Sequence, residues 1–296
     1  MKYKIQKVFL EIKGSKVIGN LYIPSNWSRG PACVVAGPMT SVKEQVTGVY
    51  AKALAERGVM ALSIDHRHYG ESEGEPRQFE YYKHKIEDLI GCVDYLSEKK
   101  DVEQSKLGIF GICLGCGYSV WTAVETSKVK WLGCVVGYYR HPKQMRKRNP
   151  KEFDAKVSQG IEARKKYENE KKNTIIPAVA INGDAAMTLK ETYDYYAAEW
   201  AVPNYRNEFS LMSREHFLPF DVQKAASRFE TPIVMVHSKN ALSPHLAKMF
   251  YGNVTAPKSL KWLHSNNQVE FYSKNNLIEN SVEFVLNGHR LLYSHK

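Results

Sequence analysis

No apolar stretch in these 296 residues approaches the roughly 18 needed to cross a bilayer. Mean hydropathy is −0.43, so a transmembrane helix is excluded. The opening MKYKIQKVFLEIKG interleaves lysines with apolar residues and holds no continuous apolar core of the kind a signal peptide needs. Cysteine is scarce and odd in number, at five. A chain long enough to bury a large core needs no disulfide framework, so reduced thiols are expected. There is no GxxxxGK[ST] phosphate loop, no dinucleotide fingerprint and no metal-ligand spacing, and no cofactor or metal is expected. No nucleic-acid-binding motif occurs either. These absences predict a cytoplasmic protein that engages neither membrane nor nucleic acid.

Charge is plentiful and uneven. Lysine and arginine number 42 against 31 carboxylates, a formal net charge of +11. Residues 140–172 alone hold 12 of the cations and only 5 carboxylates. Such a segment is either a solvated helical face or an attractor for an anionic partner. A phosphopantetheine carrier, coenzyme A or an acidic substrate would each fit.

Short apolar runs and helical patterns alternate along the chain. Residues 4–12 and 16–23 flank Lys13-Gly14-Ser15 and predict an antiparallel hairpin. Strand-like runs follow at 33–36, 59–64, 106–110, 132–136, 233–236 and 260–263. Helical patterns at 43–57, 82–98, 115–126, 243–251 and 276–287 lie between or after them. Repeated βαβ units predict an α/β fold: a mostly parallel central sheet, helices on both faces, and the hairpin at one edge. Residues 138–215 break the rhythm with charge and tyrosine and read as an inserted helical lid. The core would then comprise 1–137 and 216–296.

The segment LGIFGICLGCGY at 107–118 carries the chemistry. A strand runs into Gly111-Ile112-Cys113-Leu114-Gly115, and a helix follows. This is G-x-nucleophile-x-G with cysteine in the central place, where the glycines allow a sharp turn from strand to helix. A helix N-terminus beneath Cys113 would lower its thiol pKa and offer N–H groups to an oxyanion. The blander readings are a glycine-rich turn with a packed cysteine and a redox pair Cys113-x-x-Cys116.

Nearly the whole chain resembles the α/β-hydrolase superfamily. Within it, the sequence is similar to dienelactone-hydrolase-like and S15-peptidase-like proteins, the branch that includes polyketide transferases and thiohydrolases of natural-product pathways. GPMTSVKEQ at 37–45, DHRHYGESEGEPR at 65–77, the elbow at 111–118 and the segment from Pro257 to Tyr272 carry the likeness. It implies Cys113 as nucleophile, with oxyanion donors from the N–H of Leu114 and of Met39 or Thr40. It implies Asp65 as scaffold.

The departures matter as much. Lys239 and Asn240 stand where an acid is usual after the seventh strand, and Gln268 stands where the histidine is usual after the eighth. Glutamine can position a group but takes no proton at neutral pH. His264, His237, His66 and His68 are the candidate substitutes.

The expected function is acyl transfer or intramolecular cyclisation of a (thio)ester-type small-molecule substrate, free or bound to a carrier protein or coenzyme A. The alternatives are an ordinary ester or thioester hydrolase with a non-standard histidine, and a pseudoenzyme binding module. A homodimer is compatible with the sequence.

Overall fold

The computed structural model describes residues 2–293. Strand β1 (Tyr3–Ile12) pairs along its whole length with β2 (Ser15–Pro24), closing at Ile12 opposite Ser15. Lys13 and Gly14 turn the hairpin with φ of 51° and 74°, the positive pair that a tight two-residue turn requires. β3 (Gly30–Ala36), β4 (Met60–Asp65), β5 (Val102–Ile112) and β6 (Trp131–Val135) follow. Next come two-residue strands, β7 (Ile175–Ile176) and β8 (Phe209–Ser210), paired only with each other. β9 (Ile233–His237) and β10 (Lys258–Trp262) complete the set.

The main sheet runs β1-β2-β4-β3-β5-β6-β9-β10. Every pairing from β4 to β10 is parallel, and the hairpin meets β4 in antiparallel register. This is the expected architecture, and its cause is visible in the side chains. All residues of β4, β6 and β9 are buried, as a parallel sheet covered on both faces demands. β10, with two lysines and half-exposed side chains, is a blunted edge.

Helices α1 (Val46–Ala55), α2 (Tyr82–Ser97) and α3 (Leu114–Glu125) connect strands. α4 (Pro142–Arg148), α5 (Pro150–Glu170), α6 (Lys190–Tyr193) and α7 (Ser213–Phe217) lie between β6 and β9. α8 (Pro244–Asn253), α9 (Glu270–Ser273) and α10 (Asn275–Tyr293) close the chain. α1 packs with α10 and α2 with α3, flanking the sheet. Residues 138–215 contribute no strand to that sheet.

The helical pattern expected from residue 43 begins at Val46, because the preceding residues are committed elsewhere. Lys43 Nζ lies 2.7 Å from Asp65 Oδ2, and Gln45 Oε1 accepts the Val42 N–H. The carboxyl ends of β3, β5, β6 and β9 thus bring their following loops to one edge of the sheet, where open α/β sheets form their ligand crevice.

Candidate active site

Cys113 sits between β5 and α3 with φ 56° and ψ −122°, a backbone region costly for any residue but glycine. The flanking glycines are sterically required. A Cβ on Gly111 would lie 2.7 Å from Cys116 Cα, and one on Gly115 would lie 2.1 Å from the Ala36 carbonyl oxygen. The turn is pinned by Cys113 N–H donating to Val135 O at 3.1 Å and by Tyr138 N–H donating to Cys113 O at 2.9 Å. The side chain therefore projects into a cavity of about 230 Å³, walled in part by Met39, Leu114, Tyr138, Arg140, Gln268 and Tyr272.

Burial reverses the expected thiol chemistry. It pushes the Cys113 thiol above its ordinary pKa, outweighing the Tyr272 hydroxyl, the Leu114 N–H and the Gln268 amide, which favour the thiolate. Gln268 is held from both ends: its Oε1 accepts the Leu242 N–H at 2.9 Å and its Nε2 donates to the Tyr272 hydroxyl at 3.1 Å. That leaves the Tyr272 proton for the sulfur. Because burial raises the thiol pKa, its alkylation by iodoacetamide should still be accelerating above about pH 9.5, one unit past the ordinary thiol pKa, where an ordinary thiol has levelled off. Cys113 should also react before the four other cysteines, since it is 8% exposed and they are fully buried. Peptide mapping across pH reads both effects, and a rate that plateaus by about pH 9.5 would contradict the assignment.

The other residues named from sequence fall into two groups. Met39 and Leu114 line the cavity with Cys113 and Gln268. Thr40 does not: its N–H donates to Glu80 Oε2 at 3.1 Å, which corrects the expectation of a free oxyanion donor there. His264 is exposed on the loop after β10 and does not line the cavity. His237 is fully buried, with Nδ1 3.0 Å from Ser238 O and Nε2 3.2 Å from Gly137 O. Burial lowers its pKa, and its ring is a strut between two loops. His66 contacts Asp88 at 3.1 Å and His68 contacts His84 at 2.8 Å. Among the described residues no histidine lines the cavity. Asn240, at the acid position, donates to Ser265 O at 2.8 Å and ties the two loops together. Cys116 points its thiol at Val135 O, at 3.6 Å, and takes no part in the cavity wall, which disfavours a redox pair with Cys113. No group of three histidine, cysteine or acidic side chains converges as a metal site among the described residues.

Three contributors are not apparent from the sequence reading. Tyr272 lies four residues after Gln268, and that spacing around the turn into α9 was the available sign. Glu80 is fully buried and accepts from Tyr118 at 2.5 Å, Tyr69 at 2.7 Å and the Thr40 N–H, with Lys85 Nζ at 3.4 Å. Burial alone would raise its pKa, but Lys85 and these donors hold the carboxyl below the usual range. It anchors the loop that carries Met39. Arg140, first of the basic run, is buried against the cavity instead of solvated.

No family model matches the chain. The uncharacterized protein YcjY of Escherichia coli K12 is 30% identical over 233 residues, covering 76% of this chain and 76% of that protein. Thiohydrolase aneE of Aspergillus aculeatus is 32% identical over 122 residues, 41% of this chain and 38% of its own. Polyketide transferase grgF of Penicillium is 27% identical over 121 residues, covering 41% and 40%. The crystal structure of the α/β hydrolase GrgF matches with a TM-score of 0.83 at 19% identity, covering 96% of this chain and 99% of that one. The crossover topology, the strained strand–helix turn and these similarities agree: the chain belongs to the α/β-hydrolase superfamily, and over about two fifths of its length it is similar to a thiohydrolase and a polyketide transferase.

Proposed function

We propose that the chain is a cysteine-dependent acyl-processing enzyme. Cys113 takes an acyl group from a small-molecule thioester and passes it to an amine, or to a nucleophile in the same acyl chain, in preference to water. One observation carries this reading: Cys113 faces a cavity with Gln268 and Tyr272 beside it and no histidine among the described lining residues. The relatives named thiohydrolase and polyketide transferase support the acyl class.

The half-reactions differ in their need for a base. In acylation, the sulfur attacks the thioester carbonyl while Tyr272 donates to the forming thiolate. The N–H groups of Leu114 and Met39 face the developing oxyanion. As the tetrahedral intermediate forms and collapses, the Cys113 proton passes directly across to the substrate sulfur, so the Cys113 S–C bond forms, the substrate's C–S bond breaks, the leaving group departs as a neutral thiol and no net base is consumed. An attacking amine is nucleophilic as it stands and passes its surplus proton to the departing Cys113 thiolate. Water must be deprotonated as it attacks, and Gln268 accepts no proton. An ordinary hydrolase would need His264 or His237 as base, and the placement of both supports transfer instead. Residues 138–215 act as the lid in this reading. Exposed cations on α4, such as Lys143 and Lys147, would face the carrier protein or coenzyme A if the substrate is so bound.

Gln268→His tests the proposal. A histidine there lacks an orienting carboxylate, so its gain lies toward the low end of the ~10²–10⁴-fold typical of general-base catalysis. Hydrolysis of the acyl-enzyme should rise by about that low-end factor relative to aminolysis, read as the product ratio at fixed amine concentration. A wild type that already hydrolyses thioesters faster than it aminolyses them, with a ratio unmoved by Gln268→His, would refute the reading.

A further inference from the structure

Arg140 is 1% exposed and lines the same cavity as Cys113. Its guanidinium carbon lies 4.0 Å from the centre of the Phe217 ring and 5.2 Å from that of Tyr138. One terminal nitrogen donates to Leu218 O at 3.1 Å and the other to the Tyr138 hydroxyl at 3.4 Å. Its Nε is buried without a partner. No carboxylate forms an ion pair with it among the described residues. Glu191, the cavity's one carboxylate, lies half-buried in the lid and is no exception.

The packing of this side chain is explained by its neighbours; its charge is not. A buried cation without an anion is costly, and an apolar residue of the same length would fill the slot between the two rings. The backbone contacts that fix position 140, Val222 N–H and Gln223 N–H to its carbonyl, need no guanidinium. Three of its five N–H groups remain for a ligand, and a planar fork of this kind matches a carboxylate.

We infer that Arg140 receives a carboxylate at the far end of the acyl group, so that the substrates are half-thioesters of dicarboxylic acids. This rests on Cys113 as the acyl-accepting thiol and names the substrate class of that site. Met145, Met187 and Leu218 supply apolar wall for the intervening methylenes. A phosphate on a carrier arm fits less well, because such an arm must run out to solvent whereas Arg140 is enclosed.

The test is equilibrium binding by calorimetry, using amides that cannot transfer their acyl group: the N-butyl amide of hexanoic acid and the N-butyl monoamide of adipic acid. Wild-type protein should bind the adipic monoamide about ten- to a hundredfold more tightly, the range for a charge-assisted hydrogen bond. Arg140→Met should bring that ratio near one. Equal affinities in wild type, or a preference that survives in a folded Arg140→Met, would overturn the inference. Should Arg140→Met fail to fold, the wild-type ratio alone decides. A second ligand pair, pantetheine and 4′-phosphopantetheine, covers the other anion source. If Arg140 contributes to the phosphate and not to the adipic carboxylate, the assignment is overturned. Binding of amides needs no acylation, so failure of the Cys113 proposal would leave this result standing, and the converse holds.

Discussion

Cys113→Ala is expected to abolish thioester turnover, with a fall of about 10³-fold or more, as when a covalent nucleophile is removed. No other described side chain on the cavity wall is a thiol, and none stands at a strand–helix turn of this geometry. The change should leave the fold intact. Alanine inherits the same φ of 56°, and losing one sulfur beside an existing cavity costs about 1 kcal/mol. Cys113→Ser should be nearly as inactive, because a hydroxyl needs a base that Gln268 cannot supply. Steady-state thioester consumption, with a thermal melt to confirm folding, separates loss of chemistry from loss of structure. An alanine variant retaining about a tenth of the activity or more would contradict the assignment, given that the expected loss is far larger.

Glu80→Gln should produce the largest change in stability. Glu80 and Lys85 form a buried pair at 3.4 Å, with side chains 1% and 2% exposed. Removing one partner leaves an uncompensated buried charge, which costs about 3–5 kcal/mol. The amide would also present donors to the Tyr118 and Tyr69 hydroxyls and the Thr40 N–H, which now all donate to Glu80. The pH dependence has a definite sign. The folded-state pKa of Glu80 is depressed, so its contribution is complete above the unfolded value of about 4.3 and is lost as pH falls through the folded value. Urea melts should therefore show the full difference between wild type and variant at pH 7, shrinking as the pH drops below about 4. Equal stabilities at pH 7 would mean that Glu80 does not anchor the loop.

The two readings of the molecule, from sequence and from structure, agree where local pattern decides. Runs such as Ile233–Val236, apolar without alternation, state that both faces of a strand are covered. Gly111 and Gly115 state the turn, because no side chain fits at either. The loop between β1 and β2 is equally legible from Lys13-Gly14.

Agreement fails where a residue's surroundings come from distant segments. A helix N-terminus under Cys113 favours an activated thiol, but Tyr138, Tyr196 and the 268–272 segment wall it in, and burial prevails. Thr40 is adjacent to Met39 in sequence, yet Glu80, forty residues away, takes its N–H. Arg140 opens a run of cations that mostly face solvent, and only the return of the chain at Phe217 and Leu218 encloses it. Gln268 is the intermediate case: its place was legible from the family pattern, but its orientation depends on Leu242 and Tyr272.

In this mechanism Cys113 carries an acyl group which water does not readily remove. Intact-protein mass spectrometry tests it most directly. Wild-type protein is mixed with the N-acetylcysteamine half-thioester of adipic acid, quenched at intervals, and digested to locate any adduct. One adipoyl group per chain is expected on the peptide bearing Cys113, persistent in buffer and discharged when a primary amine is added. Consumption of the thioester with no acyl group on Cys113, or an adduct that water clears as fast as the amine does, would contradict it.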